Sequence, residues 1–114
     1  MTPEQLKRLK EKQDEIITIA MGKCWHDSKD GRVALYDWLT KEKPELFGKL
    51  EDWYLHTFAI KKSKSYFGYF IENIENLSGL FVQWLAETKT GWWEECEDSR
   101  VLTPLGALMK EVLK

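Results

Sequence analysis

The chain has 114 residues, enough for one domain and too few for two ordinary ones. Hydrophobic residues make up 43%, so a core can form without disulfide or metal staples. Charged residues at 32% nearly cancel to a formal net charge of −2, which argues against both a disordered polyelectrolyte and a general polyanion binder.

The signs are unevenly spread: residues 1–64 carry thirteen basic and eleven acidic groups, residues 65–114 four and eight. Two cysteines, Cys24 and Cys96, are too few for the disulfide framework of a small secreted domain. No apolar run approaches membrane-spanning length, and the opening residues lack an apolar signal core. The expectation is a cytoplasmic protein with reduced thiols and no membrane role.

In chain order, Thr2, Pro3 and Gln5 spell a capping box with proline at the first helical position. Leu6, Leu9, Ile16, Ile17 and Ala20 then share one face of a helix that Gly22 should end. Cys24 to Arg32 reads as a loop closing on the turn-like Lys29-Asp30-Gly31. Val33 to Thr40 favours a helix over a strand. Pro44 to about Ile60 is strongly helical, with Leu46, Phe47, Leu50, Trp53, Tyr54, Thr57 and Phe58 in one stripe.

After the Lys61–Ser65 connector, apolar steps predict a helix from about Tyr66 to Glu87. Gly79 in its interior implies either a closely packed neighbour or a break. Thr90-Gly91 marks a turn. Thr103-Pro104 should launch a last helix burying Leu105, Leu108, Met109, Val112 and Leu113. The predicted fold is all-α: one domain over residues 1–114, an irregular bundle of four to six helices, with room for a short hairpin near residues 90–103.

Chemistry-bearing motifs are sparse. Cys24, His26, His56 and Cys96 have the residue types of a zinc site, but not the close pairing of structural zinc ligands. Two buried thiols and two ordinary imidazoles is the simpler expectation. Cys96 sits among carboxylates that suppress its thiolate, and no phosphate-binding glycine loop occurs. No catalytic residue, cofactor or metal is expected.

Lys61, Lys62 and Lys64 precede Tyr66 and Tyr69, a basic patch beside rings on which bases could stack. Phe67 and Phe70 in the same run fit the core better. Arg100-Val101-Leu102-Thr103-Pro104-Leu105-Gly106 resembles the wing-to-last-helix passage of winged-helix transcription regulators. That resemblance implies a nucleic-acid-binding regulator, although the chain lacks a basic recognition helix and carries acidic residues where the wing would lie.

Protein binding is the leading expectation, reached largely by elimination. Six tryptophans are more than so small a core is expected to hide, and adjacent Trp92 and Trp93 diverge on any regular element. With Glu94, Glu95, Glu97 and Asp98 they form the expected surface for a partner protein bearing basic groups. The expected role is a small adaptor or inhibitor; in size and charge the chain has the character of phage or mobile-element proteins that act on a host system.

Overall fold

The computed structural model describes residues 2–57, 77–87 and 99–114, with side chains in the last stretch from Pro104 onward. Among these residues all regular structure is helical, and the helices make an irregular bundle around one apolar core. They are α1 (Pro3–Glu11), α2 (Gln13–Met21), α3 (Lys29–Asp37), α4 (Pro44–Thr57), α5 (Leu77–Glu87) and α6 (Ser99–Val112), with a π-type turn, Trp38–Glu42, between α3 and α4.

The capping box forms as expected. Gln5 donates its backbone N–H to Thr2 Oγ1 at 3.2 Å, and Thr2 donates its own to Gln5 Oε1 at 2.8 Å. The single first helix is instead two, jointed at Lys12, whose φ of −100° and ψ of 7° depart from helical values. Backbone bonds from Lys12 to Arg8 and from Ile16 to Lys12, both 3.0 Å, run across the joint and keep the two segments nearly continuous. Leu9, Ile16, Ile17 and Ala20 are buried, but Leu6 is 41% exposed and leaves the predicted stripe. Gly22 ends α2 at φ +74°, a left-handed conformation that a Cβ disfavours.

Helix α3 begins earlier than the expected loop allows. Ser28 caps it, its Oγ accepting from Gly31 N–H at 3.0 Å, and Asp30 in the first turn suits the positive end of the helix dipole. Gly31 is therefore helical rather than a turn residue. Its glycine identity answers a close approach: a Cβ there would stand 2.0 Å from the His26 carbonyl oxygen.

The π-type turn is closed by Lys43 N–H on Trp38 O at 3.0 Å. Its wider path coincides with burial of the consecutive residues Trp38 and Leu39. Helix α4 then buries Leu46, Leu50 and Tyr54 at four-residue steps. Phe47 meets Tyr36 edge-on at 6.2 Å, while Thr57, included in the predicted stripe, is exposed. Phe58 lies outside the described residues.

Helix α5 is the centre of the bundle and packs against α1, α2, α3 and α4. It is apolar nearly all round, as a helix enclosed by others must be: Leu77, Leu80, Phe81, Val82, Trp84, Leu85 and Ala86 are all buried. Phe81 sits edge-on to Trp38 at 6.1 Å and tilted against Trp84 at 6.0 Å. Burying a side chain of this size contributes on the order of 2–3 kcal/mol.

Helix α6 packs on α2 and α1 through Leu105, Met109 and Val112. It starts at Ser99, not at Thr103, so Pro104 lies inside it. Pro104 is exposed, and the turn it weakens is near the helix start. The expected hairpin thus cannot reach 103, and the Arg100–Gly106 passage that resembled a winged-helix wing is helix throughout. Across the bundle, α1 holds the far end of α6. Gln5 Nε2 donates to Leu113 O and Arg8 Nε to Val112 O, both at 2.9 Å, and Arg8 Nη2 also reaches Lys114 O.

Candidate binding groove

Glu11 and Gln13, on either side of Lys12, share one neighbourhood with Gly79 and the exposed Leu6. Where α1 gives way to α2, the surface opposite α5 opens into a groove of about 790 Å³. Leu6 gives it exposed apolar surface, and Leu9 and Val82, both buried, complete the floor beside Ser78 and Gly79. Gly79 is exposed and a Cβ on it would meet nothing within 4 Å. No described residue packs on it, and the described helix, which begins at Leu77, runs through it; the rest of the predicted helix, residues 66–76, lies outside the described residues. A side chain there would project into open space.

The groove's charged residues come from the joint and the following loop. Glu11, Asp14, Glu15 and Asp27 line it, against Lys10 as the single cation among the described residues. Two of the carboxylates are engaged: Glu15 with Lys12 at 3.6 Å and Asp27 with Arg32 at 2.9 Å. Glu11 and Asp14 make no ion pair among the described residues. Exposed pairs such as Lys12–Glu15 are weak, so the rim stays effectively acidic. Exposed Leu6 thus stands within an acidic rim.

The loop beside the groove is tied down from inside. Trp25 is buried, its backbone N–H donates to Thr18 Oγ1 at 3.0 Å, and the Thr18 hydroxyl donates to Trp25 O at 3.3 Å. The indole Nε1 donates to Gly31 O at 2.6 Å. With Trp25 anchored inward, its neighbours Cys24 and His26 both face outward, Sγ to Nε2 at 3.4 Å. Cys24 is a free, exposed thiol, so the expectation of a buried one is corrected. His56 is exposed near the end of α4. Among the described residues no three His, Cys, Asp or Glu side chains converge on a metal position.

The other sequence-predicted sites cannot be placed in the same way. Trp92, Trp93, Glu94, Glu95, Glu97 and Asp98, the basic–aromatic set Lys61, Lys62, Lys64, Tyr66 and Tyr69, and Cys96 all lie outside the described residues. The tryptophan argument is narrowed for the rest. Trp25, Trp38 and Trp84 are buried and Trp53 is half-buried against the core, so the bundle hides more indole than its size implied. Sequence reasoning missed the groove. Its signal was present in Gly79, read as a close approach or a break, and in Leu6, assigned to the buried stripe.

No known protein family, curated protein or solved structure matches this chain. No helix among the described residues is long and apolar enough to cross a membrane.

Proposed function

We infer that the protein is a non-enzymatic binding module that docks a basic, amphipathic helical segment of another protein in the α1–α2/α5 groove. The observation that carries this reading is the coincidence around one opening of exposed Leu6, the bare backbone at Gly79, and the carboxylates of Glu11 and Asp14, which make no ion pair among the described residues. An amphipathic helix supplies apolar anchors for such a floor and Lys or Arg for such a rim. Charge complementarity sets orientation and encounter rate, while the apolar anchors supply most of the affinity. An adaptor or an inhibitor needs no more than this. The Trp92–Asp98 segment, acidic and aromatic, is a second proposed contact of the same partner chemistry.

Fluorescence anisotropy with synthetic amphipathic helical peptides tests the reading. A Lys/Arg-faced peptide should bind, and the same peptide with Glu on its polar face should not. Gly79→Trp should weaken binding by about tenfold or more without lowering the melting temperature. Equal binding of both peptides, or retention by the Gly79→Trp variant, would remove the groove from the proposal.

A further inference from the structure

Cys24 and His26 lie outside the lining of the groove. The pair is not two unrelated exposed side chains. The residue between them is buried, its backbone is held on both sides by the Thr18 hydroxyl, and its indole is held by Gly31. The segment is therefore fixed with two donor atoms on the solvent side, 3.4 Å apart. A tetrahedral zinc ion, with Zn–S of about 2.3 Å and Zn–N of about 2.0 Å, spans about 3.5 Å between a thiolate and an imidazole. The spacing already matches a chelate. Asp27, the nearest carboxylate in sequence, is held by Arg32, leaving sulfur and nitrogen as the donors.

We propose that Cys24 and His26 form half of a zinc-class metal site, completed by the same two residues of a second copy of the chain. Two donors from one chain leave a tetrahedral ion half coordinated, and no third ligand converges among the described residues. Two copies give a Cys₂His₂ set. On binding, each thiol releases its proton to solvent, and two thiolates balance the dication's charge. The loop offers no strong charge barrier to such an approach, since Lys23, Lys29 and Arg32 alternate with Asp27 and Asp30. The ion is identified by donor softness: thiolate with imidazole selects zinc and its chemical relatives over magnesium or calcium.

The test is a titration of the reduced full-length chain with Zn²⁺ and with Co²⁺, following mass by light scattering and the cobalt–thiolate charge-transfer band. The expected result is one ion per two chains, a metal-dependent dimer that a chelator reverses, and a tetrahedral cobalt spectrum. Cys24→Ser and His26→Gln should each weaken binding by more than about a hundredfold, beyond the roughly ten- to hundredfold that loss of a merely supporting group gives. Both side chains are exposed, so these variants should keep the parent melting temperature; Cys96→Ser should bind as the parent does. Binding unchanged in Cys24→Ser, loss of binding in Cys96→Ser, one ion per chain without dimerisation, or no binding at micromolar metal would each overturn the proposal.

Discussion

Trp25 and Gly31 are joined by one short hydrogen bond, the indole Nε1 donating to the glycine carbonyl at 2.6 Å. That contact brings the first turn of α3 against the preceding loop, so closely that position 31 has no room for a Cβ beside His26 O. Gly31→Ala should therefore destabilise the fold by about 1–3 kcal/mol, the range for forced overpacking, although alanine is the better helix former. Thermal unfolding by circular dichroism should show a fall of at least about 4 °C. An unchanged or raised melting temperature would mean that helix propensity decides this position and packing does not.

Thr18 supports the same loop from α2. Thr18→Val preserves the side chain's shape but leaves Trp25 N–H without its acceptor, which should cost about 1–3 kcal/mol. Thr18→Ser should retain most of the parent stability, because the hydroxyl is the part that matters. Equal losses in the two variants would assign the effect to the methyl group's packing instead.

Helix positions were legible where apolar spacing and capping chemistry agreed. Thr2 and Gln5 announced α1, Gly22 ended α2, and Leu46, Leu50 and Tyr54 revealed the buried face of α4. The misreadings share a cause. Gly31 and Pro104 are strong local breakers, yet both sit within helices because tertiary packing outweighs a residue's intrinsic preference. Leu6 obeyed the helical period but is exposed, and the non-helical dihedrals at Lys12 cannot be read from spacing. The Cys24–His26 approach was hidden for a similar reason. It depends on burial of Trp25, a long-range fact about the core and not a pattern in three residues.

Arg8 lies far from α6 in sequence but holds its last turn, bonding the carbonyls of Val112 and Lys114. The last carbonyls of a helix lack intrahelical donors, so a guanidinium there acts as a cap and offsets the negative end of the dipole. Arg8→Ala should cost about 1 kcal/mol, the scale of a partly exposed charged cap. Hydrogen exchange should localise the effect: amides of residues 109–113 should lose protection while those of α4 keep theirs. Uniform loss across the bundle would show that Arg8 matters through general packing.

Gly79 allows stability and binding to be separated at one position. It is exposed within α5, and a Cβ would meet no atom within 4 Å, so Gly79→Ala should stabilise the helix by up to about 1 kcal/mol. Gly79→Trp should fold equally well, because its side chain enters the groove and leaves the core alone, yet it should weaken a basic amphipathic peptide by about tenfold or more. Converting Glu11 and Asp14 to Lys should act differently. Their carboxylates attract at long range, so reversal should mainly slow association and reduce its dependence on salt, with little change in dissociation. Trp92→Ala and Trp93→Ala give the competing outcome. If either folds normally and abolishes peptide binding that Gly79→Trp leaves intact, the partner docks on the Trp92–Asp98 segment. If Gly79→Trp alone abolishes binding, the groove between the jointed first helices and α5 is where the partner helix lies.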